Sequence, residues 1–184
     1  MIVIKLGGSL SQSETLVSCL DRLEQRYKDK AVVIVPGGGA FADQVRLAQA
    51  RWQFDDVTAH RMAILAMQQM ALLIHGLKSQ FTLVNSTLDI TERLKQGEVL
   101  IWSPEIDELD KAFVPASWDV TSDSLAAWLA QTISAQTLIL VKSALIDKNL
   151  TLEQLAEQQI IDRGFCRFVS TTTFKINIIN QQNL

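Results

Sequence analysis

A lysine, two glycines and a serine near the start of the chain have the types and spacing of a phosphate-binding turn. An apolar run at residues 2–5 predicts a buried strand that ends at Lys5, and Gly7 and Gly8 follow closely. Ser9 then stands where it could cap a helix. Glycines let backbone N–H groups approach a phosphate, a helix start adds partial positive charge, and the Lys5 ammonium can reach the same anion. The alternative is an ordinary turn that needs glycine for its backbone conformation.

The same order of strand, glycine loop and helix occurs a second time. Residues 31–35 predict another buried strand, Gly37, Gly38 and Gly39 follow it, and a helix is predicted over residues 40–50. Two such loops at the carboxyl ends of parallel strands would face one crevice, where open α/β sheets bind ligands. The alternative is an ordinary tight connection between a strand and a helix.

Two charged residues after the second loop, Asp43 and Arg46, have two interpretations. Because they are three residues apart on a predicted helix, they could form a surface ion pair of little energetic consequence. They could equally recognise a cationic and an anionic group of a substrate. The sequence pattern leaves both interpretations open.

Polar residues are concentrated just before the helix predicted at residues 125–135. Thr121, Ser122 or Asp123 could cap this helix. Capping needs one such residue, so the density of polar groups soon after Trp118 suggests a further role in a site.

The longest helical pattern, residues 58–77, contains three of the four methionines in the chain. A helix rich in methionine and alanine is usually part of a core, but such a surface can also form a subunit contact. His60 and His75 lie near the two ends of this helix, and both are predicted to be structural.

Shorter segments complete the predicted secondary structure. Further strands are predicted at 81–84, 99–102, 138–142, 166–170 and 174–179, and further helices at 13–27, 90–96 and 152–159. Residues 103–117 are acidic and irregular, which predicts a loop or lid over a site.

The composition is that of one globular domain. The 184 residues are 48% hydrophobic, with a mean hydropathy of +0.15 and a net charge of −3. These values argue against a disordered chain and against nucleic acid as the main partner. We expect no membrane span and no signal peptide, since no apolar run or basic N-terminal region suggests one. Cys19 and Cys166 have no metal-binding spacing, so a reduced, cytoplasmic setting is expected.

Three segments, in order, resemble the amino acid kinase superfamily. Residues 4–9 resemble its opening Lys-x-Gly-Gly-Ser motif, and residues 36–39 resemble its second glycine loop. Residues 121–123 stand where the superfamily carries an aspartate that organises the catalytic lysines. The resemblance covers most of the chain.

Three longer segments resemble one branch of this superfamily, the (5-(aminomethyl)furan-3-yl)methyl phosphate kinases of methanofuran biosynthesis in methanogens and methylotrophic bacteria. They are residues 37–46, 59–67 and 118–128. The resemblance implies a phosphotransferase with a phosphate group as acceptor, which uses ATP and Mg²⁺ to extend a phosphate monoester to a diphosphate.

The resemblance also implies a fold and an assembly. The fold is expected to be α/β, a three-layer αβα sandwich with a mainly parallel central sheet and both glycine loops at one edge. Residues 1–184 are expected to form a single domain, shortened at its C-terminal end relative to the superfamily. A homo-oligomer, most simply a dimer, is expected to form through residues 59–77.

The resemblance implies roles for the first glycine loop and for the later aspartate. Lys5 is expected to bind the transferring phosphoryl group, while Gly7, Gly8 and Ser9 donate to its oxygens. Asp123 is expected to hold Lys5 by ion pairing, and Asp123→Asn to lower turnover while leaving folding nearly intact. Mg²⁺ is expected to be held mainly by the nucleotide phosphates.

Other residues are expected to recognise the acceptor. The second glycine loop would cradle the acceptor phosphate, and Arg46 would meet it. Asp43 and Asp119 are the candidates for binding the aminomethyl cation, and Trp118 could cover the furan ring. The alternative for Trp118 is a plain core aromatic. The remaining predicted substrate contacts are Thr121 and Ser122.

Two departures from the superfamily pattern affect the nucleotide half. Residues 142–146 lack the aspartates and glycine of the usual nucleotide segment. Residues 147–163 lack the glycine loop that carries a second catalytic lysine, and the one lysine among them is Lys148. We therefore hypothesise that Lys142 contacts the ATP phosphates in place of the missing lysine. The alternative is a solvated lysine at the end of a strand.

Two other functions stay open at this point. The first is a kinase of the same fold with another acceptor, such as a nucleoside monophosphate or an acyl amino acid. The second is a catalytically silent binding or regulatory subunit, which the reduced nucleotide half would suit.

Overall fold

The computed structural model describes residues 1–12, 15–93 and 98–184. In chain order, its strands are β1 (Ile2–Leu6), β2 (Val32–Pro36), β3 (Thr82–Val84), β4 (Val99–Trp102), β5 (Thr137–Lys142) and β6 (Lys175–Asn180). Its α-helices are α1 (Thr15–Arg26), α2 (Gly39–Trp52), α3 (Asp56–Leu77), α4 (Thr87–Arg93), α5 (Ile106–Lys111), α6 (Ser122–Thr132), α7 (Leu152–Glu157) and α8 (Phe165–Val169). Short 3₁₀ helices span Gly8–Gln12 and Gln181–Asn183.

In the described part of the chain, the strands form one six-stranded sheet in the order β3-β4-β2-β1-β5-β6. Every neighbouring pair is parallel. Leu6 at the end of β1 lies opposite Pro36 of β2 and Val141 of β5. Both glycine loops therefore leave the same edge of the sheet, which confirms that expectation and the parallel sheet.

The sheet separates two apolar layers, because successive side chains of a strand point to opposite faces. Val3 and Leu140 pack in one layer with residues of α6, whereas Ile4 packs in the other with residues of α1. The expected three-layer αβα sandwich is confirmed. Lys5 and Lys142 follow Val3 and Leu140 by two residues, so both lysines project toward α6.

Helix α3 packs against α2 and against strands β2, β3 and β4. Its methionines Met67 and Met70 are buried in this packing, whereas Leu65 and Leu72 of the same helix are exposed. By length and composition α3 is apolar enough to cross a membrane, which corrects the expectation that no segment approaches such a length. Its contacts with the sheet identify it as a core helix of this fold.

The predicted strand at residues 166–170 is wrong, because residues Phe165–Val169 form helix α8. Phe165 and Val169, the first and last residues of this helix, are both buried and lie four positions apart, which is the spacing of one helix face. Apolar runs this short cannot be assigned by periodicity alone. The last strand is β6, at the edge of the sheet beside β5, where a strand over residues 174–179 was predicted.

Smaller differences concern element boundaries. The segment at 103–117 contains helix α5 and so is not wholly irregular. Helix α4 begins at Thr87, earlier than the predicted 90–96. Residues 94–96 of that prediction, and residues 13 and 14 of the predicted helix 13–27, lie outside the described residues.

Candidate active site

Two buried lysines meet one buried aspartate at the carboxyl ends of β1 and β5. Lys5 Nζ lies 2.8 Å from Asp123 Oδ1, and Lys142 Nζ lies 2.6 Å from Asp123 Oδ2. Lys5, Asp123 and Lys142 are 4%, 3% and 9% exposed. The predicted pairing of Lys5 with Asp123 is present in the structure. The alternative of a solvated Lys142 is wrong, because this side chain points toward α6 and is covered by it.

The electrostatics of this cluster favour an anion. Burial opposes the charge of Asp123, but the Lys5 and Lys142 ammoniums lower its pKa to about 2. Burial and the charge of Lys5 lower the pKa of Lys142 to about 8, although Asp123 acts in the opposite direction. Two ammoniums thus meet at the one Asp123 carboxylate, and this pair of cations would attract an anion. The cluster is a candidate functional site on these grounds.

The two glycine loops touch each other beside this cluster. A Cβ atom on Gly8 would lie 2.5 Å from Gly39 N, and a Cβ atom on Gly37 would lie 2.6 Å from Gly8 N. Gly39 also has a φ of +54°, a conformation that side chains disfavour. These glycines are therefore required for the loops to pack together, in addition to any approach by a ligand.

Two of the loop N–H groups are used inside the protein. Gly7 N donates to Val141 O at 3.0 Å, and Gly37 N donates to Leu6 O at 2.9 Å. These bonds extend the parallel ladder beyond the strands. The predicted donation of Gly7 N–H to a phosphate is therefore not available in this conformation.

Ser9 lies within the 3₁₀ helix Gly8–Gln12, and α1 begins at Thr15. The expectation that Ser9 caps that helix is wrong. The Ser9 hydroxyl instead shares a hydrogen bond of 2.9 Å with the Ser143 hydroxyl, directly after β5. Two hydroxyls therefore lie between the first glycine loop and the end of the strand that carries Lys142.

The start of α6 is held by a residue from later in the chain. Thr121 occupies the N-cap position, but its N–H and hydroxyl both donate to Asp162 Oδ2 at 2.9 Å. The expectation that Thr121, Ser122 or Asp123 caps α6 is therefore wrong, since the capping acceptor is Asp162. Sequence reasoning missed Asp162 because its partners are far away in the chain.

A cavity of about 360 Å³ opens beside the glycine loops. Its wall combines both loops, the starts of α2 and α3, and the segment that precedes α6. The lining residues are Gly8, Ser9, Gly37, Gly38, Gly39, Ala42, Asp43, Arg46, Asp56, His60, Ala63, Ile64, Met67, Ser117, Trp118, Val120, Thr121, Ser122 and Leu125. All predicted substrate residues line this wall except Asp119, whose side chain is exposed to solvent.

Arg46 and Trp118 form one unit in the cavity wall. The Arg46 guanidinium lies 3.7 Å from the centroid of the Trp118 ring. Trp118 Nε1 donates to Gln49 Oε1 at 2.6 Å, and Gln49 Nε2 donates to Asp56 Oδ1 at 2.9 Å. Trp118 is half-buried, so it is not a plain core aromatic. One face of the ring predicted to cover a substrate is already covered by Arg46.

His60 and Asp56 are cavity residues for which sequence reasoning predicted no site role. His60 is 7% exposed, and its Nε2 has no hydrogen-bond partner among the described residues. Burial lowers the pKa of His60, so the ring is neutral at pH 7. Asp55 caps α3 by accepting from Thr58 N at 2.8 Å, which makes Asp56 its first residue. The sequence pattern predicted this helix to begin at residue 58, which left Asp56 outside it.

Comparison with known proteins now decides the family. The amino acid kinase family model matches residues 1–144. The chain belongs to the amino acid kinase family. The matched region of this family extends from β1 past β5, so it includes Lys5, Asp123 and Lys142.

One curated member of the amino acid kinase family is similar in sequence. The chain is 27% identical over 144 residues to the [5-(aminomethyl)furan-3-yl]methyl phosphate kinase of Methanocaldococcus jannaschii. The match covers 76% of this chain and 64% of that relative, so the chain spans less than two thirds of the relative's length.

Solved amino acid kinase structures share the fold over nearly the whole chain. The uridylate kinase of Archaeoglobus fulgidus has a TM-score of 0.76 at 20% identity, covering 99% of this chain and 92% of that one. The UMP kinase of Ureaplasma parvum has a TM-score of 0.71 at 17% identity, with coverages of 97% and 88%. The UMP kinase of Bacillus anthracis has a TM-score of 0.69 at 16% identity, with coverages of 98% and 87%. At these identities the likeness establishes the fold.

Proposed function

We propose that this member of the amino acid kinase family transfers the γ-phosphoryl group of ATP to the phosphate of a small phosphate monoester. The acceptor that we favour is (5-(aminomethyl)furan-3-yl)methyl phosphate, which would become its diphosphate. The observation that carries the proposal is the buried cluster of Lys5, Asp123 and Lys142 beside a cavity lined by two glycine loops.

The cluster suits phosphoryl transfer because this reaction depends on positioning and on charge neutralisation. In the proposed reaction, an acceptor phosphate oxygen bonds to the γ-phosphorus while the bond from that phosphorus to the β–γ bridging oxygen breaks and ADP leaves. Lys5 neutralises the transferring group, and Lys142 neutralises the ATP phosphates. Asp123 holds both ammoniums in place. No general base is required, since the acceptor phosphate is already an anion.

The residues at this edge of the sheet fit the phosphates of ATP. The Lys5 and Lys142 ammoniums would attract the phosphates, and the Ser9 and Ser143 hydroxyls lie between the first glycine loop and the end of β5. Mg²⁺ bound with ATP would neutralise phosphate charge. Among the described residues, no group of three or more His, Cys, Asp or Glu side chains is placed to hold a metal ion, so the nucleotide phosphates would be its main ligands.

The cavity offers a small acceptor both charged and apolar contacts. Arg46 and the neutral His60 imidazole line the cavity with the second glycine loop and would contact the acceptor phosphate. Asp43 and Asp56 are exposed carboxylates that also line the wall and would face an aminomethyl cation. Apolar Met67 also lines the cavity and would contact a ring. The similarity to the [5-(aminomethyl)furan-3-yl]methyl phosphate kinase of Methanocaldococcus jannaschii supports this choice of acceptor.

A second candidate acceptor is uridine monophosphate, since the structural neighbours are named as uridylate or UMP kinases. Their low identity makes this the weaker choice. A catalytically silent subunit is the third candidate, but it would have no evident need for two buried lysines held by one carboxylate. Keeping such charges buried without a ligand is costly to stability.

We also propose that two copies associate through the exposed face of α3. Two of the three methionines that motivated this prediction, Met67 and Met70, are buried in the core, and Met62 is half-buried. The opposite face exposes Leu65 and Leu72, which are 45% and 61% exposed, together with Leu73 and Leu77. Leu65 and Leu72 are seven residues apart and lie on one side of the helix. A two-fold axis beside α3 would cover these leucines with their own copies.

The function is tested by turnover with ATP, Mg²⁺ and a panel of acceptors. The panel contains the aminomethylfuran phosphate, the same phosphate without its amine, UMP and N-acetylglutamate. ADP release gives the rate, and ³¹P NMR shows whether a phosphate monoester signal is replaced by the coupled pair of a diphosphate. Preference for UMP would favour the second candidate. The absence of ADP release and nucleotide binding would favour the silent subunit.

A further inference from the structure

Asp162 lies beyond the region that matches the family model, which ends at residue 144. Its Oδ2 accepts hydrogen bonds from Thr121 N at 2.9 Å, from Thr121 Oγ1 at 2.9 Å and from Ser124 N at 3.0 Å. Its Oδ1 accepts a short hydrogen bond from Ser124 Oγ. Both oxygens of the Asp162 carboxylate therefore accept hydrogen bonds from residues at the start of α6.

These bonds form a helix cap that is supplied from a distant part of the chain. The N–H groups of a helix start are usually satisfied by the side chain of the N-cap residue itself. Here the acceptor for Ser124 N comes from a residue 38 positions away. A negatively charged cap also interacts favourably with the positive end of the helix dipole. The direction and start of α6 therefore depend on Asp162.

The backbone of the same segment contacts the buried cluster. Asp162 N donates to Asp123 Oδ2 at 3.2 Å, the oxygen that also accepts from Lys142 Nζ. Two residues later, Gly164 N donates to Asp119 O at 2.6 Å. A Cβ atom on Gly164 would lie 2.7 Å from that oxygen, so only glycine allows this close approach. Residues 162–164 are thus packed directly on the segment that opens α6.

We propose that Asp162 is the positioning residue of this site: it fixes the start of α6 and thereby holds Asp123 between the two lysines. The catalytic consequence of this proposal rests on the proposed function. The placement of the groups rests on the hydrogen bonds above. Asp162 acts through Asp123 and does not touch the reacting phosphates.

Asp162 also carries a charge toward the cluster, which distinguishes it from a purely structural cap. Burial and the Lys5 charge lower the pKa of Lys142, whereas Asp123 and Asp162 raise it. These charged groups face Lys142 from β1, from α6 and from the segment before α8. Removing the Asp162 charge should therefore lower the pKa of Lys142 further.

The first test is a titration that needs no substrate. Protein labelled with ¹³C-lysine is titrated by NMR as wild type and as Asp162→Asn, which keeps the side-chain size and one acceptor oxygen but loses the charge. Lys142→Met identifies the Lys142 signal by its loss. We expect Lys142 to titrate near pH 8 in the wild type and at lower pH in Asp162→Asn. An unchanged titration would overturn the proposal. If Asp162→Asn does not fold, Asp162→Gln provides the comparison, because glutamine also offers one acceptor oxygen without a charge.

The second test measures turnover. Asp162→Asn should lower kcat by about tenfold or more while the KM for the acceptor changes little, since the loss concerns transition-state stabilisation. Thr151→Ala is the matched control, because it removes the side-chain cap of α7. This control should leave both kcat and the Lys142 titration unchanged. If the wild type has no kinase activity, the proposed function fails while the titration still decides the role of Asp162.

Discussion

Lys142 Nζ lies 2.6 Å from Asp123 Oδ2, although one residue ends a strand and the other begins a helix. The resemblance to the superfamily places the second catalytic lysine in a later glycine loop, which residues 147–163 do not contain. In the proposed function, Lys142 supplies the missing ammonium from the end of β5. The lack of that glycine loop in residues 147–163 is therefore compatible with a complete charge arrangement at the proposed site.

Replacing Lys142 should separate activity from stability. Lys142→Met is expected to lower turnover by about 10²-fold or more, the usual loss for one electrostatic stabiliser. Its melting temperature should change little, because the apolar methionine avoids the cost of burying an ammonium and the pair of Lys5 with Asp123 remains. Steady-state kinetics and thermal unfolding measure the two effects. Lys148→Met, in an exposed loop, is the control and should change neither. A fully active Lys142→Met would contradict the assignment.

The activity should depend on pH through the same lysine. Because the pKa of Lys142 is about 8, kcat/KM for ATP should fall as the pH rises through that value and the ammonium is lost. Stability should respond in the opposite direction. The folded pKa lies below the ordinary value of 10.5, so the unfolded state binds more protons between pH 8 and 10.5, and this group adds stability as the pH rises.

A pH profile of kcat/KM and urea unfolding at several pH values check this pair of trends. Lys142→Arg keeps its charge throughout the range, because arginine does not lose its proton there. If this variant retains activity, its alkaline decline near pH 8 should disappear. A wild-type rate that stays constant well above that pH would remove Lys142 from the mechanism.

The resemblance to the superfamily was sufficient to place Lys5 and Asp123 in one site, because each belongs to a local motif of that superfamily. The burial of Lys142 needed the sheet order as well. The Lys142 side chain points to the same face of the sheet as that of Leu140, two residues earlier. It reaches Asp123 only because β5 lies beside β1 in the sheet. Such a neighbour relation comes from tertiary packing and leaves no local pattern.

Two other features were beyond local reasoning for related reasons. Asp162 stands in a short polar stretch, and its role depends on partners 38 to 41 residues away. Helix α8 is five residues long, too short for its period to be distinguished from that of a strand. In contrast, the first two strands were predictable because each apolar run is followed at once by glycine.

Asp123→Asn should destabilise the protein, which revises the expectation of nearly intact folding. The structure shows one carboxylate holding two buried lysines, so its loss leaves both ammoniums without their partner. We expect a loss of about 3 kcal/mol at neutral pH, the scale of breaking a buried ion pair. Because Asp123 raises the pKa of Lys142, the lysine of the variant should lose its proton below pH 8, so the loss should be smaller above pH 8 than well below it. Urea unfolding on both sides of that pH measures the difference. An unchanged unfolding midpoint would show that Asp123 is dispensable for the fold.

The proposed dimer gives a test on the surface of α3. Leu65→Glu should convert a dimer into a monomer, because it places a charge in the apolar contact. Val17→Glu is the matched control, since Val17 is 46% exposed on α1 and Leu65 is 45% exposed. Light scattering at micromolar concentration measures the mass of each variant. A monomeric wild type would contradict the proposed contact.

Recognition of the acceptor amine should depend on Asp43 and Asp56, which line the cavity, and not on Asp119, which does not. Asp43→Asn and Asp56→Asn keep the side-chain size but remove the charge that an aminomethyl cation would meet. We expect each to raise the KM for the aminomethyl acceptor by about fivefold, the scale of a partly exposed ion pair worth about 1 kcal/mol. The KM for the analogue without the amine should stay unchanged. Asp119→Asn should change neither value, because its side chain lies outside the wall. Measuring both KM values at saturating ATP separates these cases. An equal rise for the two acceptors would indicate general damage to the cavity. A rise for the aminomethyl acceptor in Asp119→Asn alone would show that Asp119 binds the amine, as the sequence predicted.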